Sequence, residues 1–217
     1  MNLINRPLAL SRRPETLGTH PDLRPGETLI QMADNSEVMG ALTLMAIGLR
    51  DHFGAEPPVC VPIMRGAAGT MDLLNKVDPK LFANIRPMTI STTDGQRRLP
   101  QPRILQYPNP TELMGERVLI VDGVIDTGHT LIVAGDGLTR NAKDHDVPPP
   151  RKIESCAAVL KLDAAKHDLG ELLIAVAMTA DKDDWVVGIG DPEHDGFDLS
   201  DRFRDLPAVW HIQTPSP

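Results

Sequence analysis

The stretch Val118-Leu119-Ile120-Val121-Asp122-Gly123-Val124-Ile125-Asp126-Thr127-Gly128-His129-Thr130 gathers residue types that can handle a small charged molecule. Its four consecutive branched apolar residues read as a buried strand, and a polar turn then feeds a helix over about 130–140. Open α/β sheets bind ligands beyond the carboxyl ends of their strands. That rule places Asp122 at such an end and Asp126-Thr127-Gly128 at the start of the helix. Small residues there leave backbone amides open, Thr127 and Thr130 add hydroxyl donors, and the helix dipole favours an anion. A single phosphate suits such a cradle. Carboxylates repel phosphate, so Asp122 and Asp126 must face sugar hydroxyls, a metal ion or a proton to be removed. No lysine follows the turn as a P-loop requires, and no GxGxxG follows the strand as a dinucleotide site requires.

The elements that must position this turn are legible from periodicity. Asp34-Asn35-Ser36 offers an N-cap, and Val38, Leu42, Met45, Ala46, Leu49 and Phe53 recur at helical spacing, predicting a helix over 36–53 ended by Gly54. Val59–Met64 reads as a buried strand entering a tight turn at Arg65-Gly66. Pro62 is expected where no ladder partner is needed. A helix over 67–77 and a strand over 85–91 follow. Residues 92–116 read as a long proline-rich loop with a short strand near 104–106, and such a loop inside a domain is usually functional. Residues 141–152 are a charged connector, 153–161 and 172–177 two further buried strands, and the chain from Asp181 an acidic, loop-rich tail. Residues 1–33 show no periodicity and read as an N-terminal arm, leaving 34–217 as the domain. The alternation predicts an α/β fold with a mostly parallel twisted sheet flanked by helices and right-handed crossovers.

Composition narrows the function classes. Length is 217 residues, 41% are hydrophobic and 24% charged, as in an ordinary globular protein. Net charge is −8, and no basic cluster exceeds Gln96-Arg97-Arg98, which disfavours a nucleic-acid partner. No apolar run is long enough for a membrane helix, and the first residues lack the apolar core of a secretory signal. Cys60 and Cys156 sit in apolar runs and read as buried thiols of a reducing, cytoplasmic setting. His145, His167, His194 and His211 read as solvated.

The thirteen-residue segment resembles the 5-phosphoribosyl-1-pyrophosphate (PRPP) signature of type I phosphoribosyltransferases. Further segments, in order, resemble hypoxanthine-guanine (6-oxopurine) phosphoribosyltransferases: Val61–Gly66 a pyrophosphate loop, Ile90–Thr93 the start of a closing loop, Ala158-Val159-Leu160-Lys161 a base-contacting strand, Trp185-Val186-Val187-Gly188 the base cover, and Phe203-Arg204-Asp205-Leu206 a closing segment. The likeness spans about 35–212. It implies a small hood built from terminal segments, and a homo-oligomer, since relatives commonly associate.

The resemblance also implies roles. PRPP would contact Arg65, Gly66, Asp122, Asp126, Thr127, Gly128, His129, Thr130 and Arg204. Asp126 would be the general base, Asp122 would hold ribose hydroxyls, and Lys161, Trp185 and Val186 would bind the base. Mg²⁺ would offset the departing pyrophosphate, with Asp122 and either Asp191 or Asp198 as ligands. Two departures stand out. The signature usually has adjacent acids, and here Gly123 replaces the second. The run from Gly188 to Asp191 also resembles uracil phosphoribosyltransferases. Base identity is open between these, with a 6-oxopurine favoured because Lys161 and Trp185 occur together. A non-catalytic PRPP-binding regulator is the reading from another class.

Overall fold

The computed structural model describes residues 3–94, 97–162, 169–189, 203, 206 and 208–214. The chain opens with strands β1 (Leu8–Ala9), β2 (Arg13–Gly18) and β3 (Thr28–Ala33). Helix α1 (Asn35–Phe53) starts where a capping residue was expected. The Asp34 carboxylate accepts the Glu37 amide N–H, the Glu37 carboxylate accepts the Asp34 amide N–H, and Gly54 at φ +59° closes the helix. Arg13 of β2 donates to both oxygens of Glu37, at 2.6 and 2.8 Å, so this cap also anchors β2.

Strand β4 (Val59–Met64), helix α2 (Ala68–Val77), strands β5 (Asn84–Ile85), β6 (Met88–Asp94) and β7 (Arg97–Gln106), and a 3₁₀ turn over 110–112 come next. Strand β8 (Arg117–Ile125), helix α3 (His129–Asp144) and strands β9 (Lys152–Lys161), β10 (Leu173–Ala180), β11 (Val186–Gly188) and β12 (Val209–Gln213) complete the order. The main sheet runs β1-β10-β9-β8-β4-β6-β7, with β5 also on β4. All its pairings are parallel except β6 with β7. The expected α/β architecture is therefore the observed one. Among the described residues no helix is long and apolar enough to cross a membrane.

Burial explains why the central strands are apolar throughout. Leu119 and Val121 of β8 pack under α1 and α2, while Val118 and Ile120 pack against Leu131, Ala134 and Leu138 of α3. A parallel strand covered on both faces needs apolar residues at every position. Pro62 sits where its missing amide costs least. On that side β4 pairs with β5 through Val59 and Cys60 and with β6 through Ile63 and Met64, and Pro62 falls in the gap between them.

Four expectations are corrected. Residues 97–106 form a long strand rather than part of a loop, because an edge ribbon is held by backbone pairing to β6 and needs no apolar period. Strand β8 continues past Val121 to Ile125. Helix α3 continues past Arg140, where buried Ala142 and Asn141 pack inward and the Asn141 side chain donates to Pro108 O at 3.3 Å. The tail contains two strands, and these join β2 and β3 in a second, antiparallel sheet of order β11-β12-β3-β2. Residues 8–33 thus enter both sheets, β1 in the main one and β2 and β3 in this small cover.

At the amino ends of the parallel strands, a buried cluster locks α1 to the sheet. The Glu154 side chain is 0% exposed and accepts from Arg117 Nη2 at 3.0 Å and Lys152 Nζ at 2.8 Å, with His52 Nε2 at 2.7 Å. The Arg117 guanidinium also lies 4.3 Å over the Phe53 ring.

Candidate functional site

At the opposite, carboxyl end, β8 turns through Asp126 and Thr127 into α3. Gly128 is the N-cap, left-handed at φ +79°, and no side chain caps the helix. A Cβ there would lie 3.0 Å from Leu169 Cδ2, so both conformation and space require glycine. The first-turn amides of α3 therefore point out of an uncapped helix start, which is a ready anion seat. Thr127, His129 and Thr130 around it are partly exposed.

Register brings the next two expected residues together. Ile125 of β8 lies opposite Leu160 of β9, so Asp126 and Lys161 leave their strands side by side. Lys161 Nζ is 3.6 Å from Asp126 Oδ1, with the two side chains 16% and 36% exposed. This is an ion pair open on one side, too long to be a close hydrogen bond. An anion and a cation so placed can serve neighbouring donor and acceptor atoms of one ligand edge.

Asp122 lies inside β8 rather than at its end. The β4 ladder stops at Pro62 opposite Val121, so Asp122 emerges just where β4 peels away toward the Arg65-Gly66 turn. A Cβ on Gly66 would stand 3.7 Å from Asp122 Oδ1. The two expected ligand-binding elements therefore adjoin, and Arg65 is exposed on the turn. Burial pushes the Asp122 carboxyl up to about 6, against the pull of the Gly123 N–H, which donates to Asp122 Oδ1 at 2.8 Å. The sign follows. An acid with a raised folded value costs stability once ionised, so the cost is full above pH 6 and fades as pH falls toward 4. Asp122→Asn is therefore expected to stabilise the protein at pH 8 by roughly 1–3 kcal/mol, seen as a rise of several degrees in Tm with no gain at pH 4. An unchanged or lower Tm at pH 8 contradicts this.

Trp185 stands at the entry to β11 and is 45% exposed, while Val186 is buried and pairs with His211. Arg204, Asp191 and Asp198 lie outside the described residues. Among the described residues no group of three or more His, Cys, Asp or Glu side chains could hold a metal. Asp122 supplies one hard oxygen donor set, which suits Mg²⁺ bound chiefly through a ligand's phosphates. Both cysteines are free and buried as expected, and burial pushes their thiols up, away from reactivity.

His211 corrects an expectation. It is 4% exposed rather than solvated, because β12 lies between β11 and β3. His145 is also engaged, its Nδ1 2.9 Å from Asn141 O. His167 and His194 lie outside the described residues. Sequence reasoning missed Arg12 and Asp184, which pair at 2.8 Å beside His211. No local signal marks them, since the cluster joins three separate segments.

Comparison with curated proteins finds no match. Solved structures do match. The hypoxanthine-guanine phosphoribosyltransferase (hpt-2) of Bacillus anthracis, with a HEPES molecule in its active site, superposes with a TM-score of 0.68 at 20% identity, over 85% of this chain and 96% of that one. The hypoxanthine phosphoribosyltransferase of Trypanosoma cruzi, in complex with the product IMP, gives 0.68 at 16% identity, over 89% and 98%. That of Staphylococcus aureus gives 0.63 at 22%, over 83% and 89%. At such identities these likenesses show a shared fold. A family model, the phosphoribosyl transferase domain, matches residues 31–195, a span that takes in the uncapped helix start, the Asp126–Lys161 pair and Trp185. The chain belongs to the phosphoribosyl transferase family.

Proposed function

We propose that the protein transfers the 5-phosphoribosyl group of PRPP to a free 6-oxopurine, hypoxanthine or guanine, releasing pyrophosphate. The observation that carries this reading is the Asp126–Lys161 pair, 3.6 Å apart beside the uncapped start of α3. On a 6-oxopurine the ring N7 and the 6-oxygen are neighbours on one edge. Asp126 accepts the N7 proton as N9 attacks C1 of the ribose, and Lys161 donates to the 6-oxygen. The α3 amides and Thr127 and Thr130 take the 5′-phosphate. Asp122 accepts from ribose hydroxyls, and Arg65, with Arg204, flanks the leaving pyrophosphate. Trp185 stacks on the base. Asp122 would help to hold Mg²⁺, which would supply positive charge to offset that of the leaving pyrophosphate. The ribbon of β6 and β7 would shield the reacting atoms from water. The free, buried thiols fit a cytoplasmic setting.

The test is a panel of bases with PRPP and Mg²⁺, following pyrophosphate release and nucleotide formation. Product is expected with hypoxanthine or guanine. Product with uracil alone reassigns the base. Tight PRPP binding without product from any base favours the regulatory reading that Gly123 motivates. Neither binding nor turnover overturns the proposal.

A further inference from the structure

Trp185 carries its ring into solvent on a short turn, and that turn is held by buried polar groups. The Trp185 amide N–H donates to His211 Nδ1 at 3.2 Å, and the Trp185 carbonyl accepts the Ile212 amide at 3.0 Å. The preceding residue, Asp184, is 2% exposed. Its Oδ1 accepts from Arg12 Nε at 2.8 Å and lies 3.4 Å from His211 Nδ1, while its Oδ2 accepts the Asp181 amide at 3.1 Å. An imidazole nitrogen that accepts an amide hydrogen carries no proton, so the ring is neutral with its hydrogen on Nε2.

We propose that His211 is the positioning residue for Trp185, its unprotonated Nδ1 fixing the turn that presents the indole to the base. This rests on the base-binding reading of Trp185. The geometry gives the ring two exclusive partners. Neutral, Nδ1 accepts from Trp185. Protonated, Nδ1–H faces another N–H and turns instead to Asp184 Oδ1, releasing the Trp185 backbone. The surroundings hold the neutral form. Burial lowers the proton affinity of His211 first, then Arg12, and Lys161 adds to this, while Asp184 opposes it. The flanking residues of β11 and β3 that pair with His211, Val186 and Ile30, are uncharged.

The test separates His211 from Asp122, which also titrates and is kept in every protein compared. With hypoxanthine as the varied substrate at saturating PRPP, KM of the wild type is expected to rise about threefold or more as pH is lowered below the ordinary imidazole range, with a smaller change in kcat. His211→Ala raises KM at every pH. His211→Asn, whose Oδ1 can accept in place of Nδ1 but takes up no proton, restores much of the loss and flattens the KM profile relative to wild type. A His211→Asn profile as steep as the wild type overturns the proposal. Two measurements do not depend on turnover. Long-range proton–nitrogen NMR of the wild-type ring at pH 7.5 should show the Nε2–H tautomer, and an Nδ1–H tautomer overturns the proposal. In a Trp210→Phe background, Trp185 emission should titrate with pH, and adding His211→Asn should abolish that titration. If these hold and no base is turned over, the reading of the site as base-binding fails while the coupling of His211 to Trp185 stands.

Discussion

Asp126→Asn is expected to lower kcat by about 10²- to 10⁴-fold, the range for losing a positioned general base, while PRPP affinity stays within a few-fold. Asn keeps the size of the side chain at the β8–α3 turn but cannot take a proton. The uncapped first turn of α3, which is expected to seat the 5′-phosphate, depends on Gly128 and backbone amides rather than on the Asp126 charge. Lys161, 3.6 Å away, keeps its place on β9. Steady-state kinetics together with direct PRPP titration separate the two effects. If PRPP affinity falls in step with kcat, Asp126 is a structural part of the turn and the proton acceptor lies elsewhere.

The largest expected effect on stability lies at the other end of the sheet. Arg117→Ala removes a donor from Glu154, whose side chain is fully buried, and uncovers the Phe53 ring. Stranding part of a buried carboxylate's compensation typically costs about 3–5 kcal/mol, and Lys152 and His52 keep this case toward the lower bound. Denaturant unfolding followed by helix signal measures it, and a loss below about 0.5 kcal/mol, the scale of an ordinary surface substitution, contradicts the assignment. The pH dependence has a definite sign. Burial would raise the Glu154 carboxyl, but hydrogen bonds from Lys152, His52 and Arg117 outweigh it and hold the group below its usual range. Its contribution is therefore present above the ordinary carboxylate value and is lost as pH falls through the lowered one. Arg117→Ala should move acid unfolding to higher pH.

The framework of the candidate site was legible because its residues are local in sequence. Residues 118–130 are contiguous, and a doubly covered parallel strand announces itself as an unbroken apolar run. The same logic hid the end of β8, where Asp122 and Gly123 interrupt the run although the ladder to β9 continues through Ile125. The Asp126–Lys161 contact follows from parallel register, which no one-dimensional pattern states; only the family likeness anticipated a role for Lys161. Strand β7 was hidden because Arg97, Arg98 and Arg103 give no apolar alternation. Strands β11 and β12 are three and five residues long, too short for periodicity to register, and β3, the strand that joins them to the rest of their sheet, is remote in sequence. The cluster of Arg12, Asp184 and His211 depends on those remote pairings, so it was out of reach for the same reason.

The small sheet has a consequence for biosynthesis. Strand β3 pairs on one edge with β2 and on the other with β12. Residues 28–33 leave the ribosome long before residues 209–213, so the β12-facing backbone edge of β3 waits unpaired until β12 is made. An open strand edge is a template for pairing with another chain. The nascent polypeptide is thus most vulnerable to aggregation in its early β-ribbon, and slow elongation through the β9–β10 region should depress yield unless a chaperone shelters that edge.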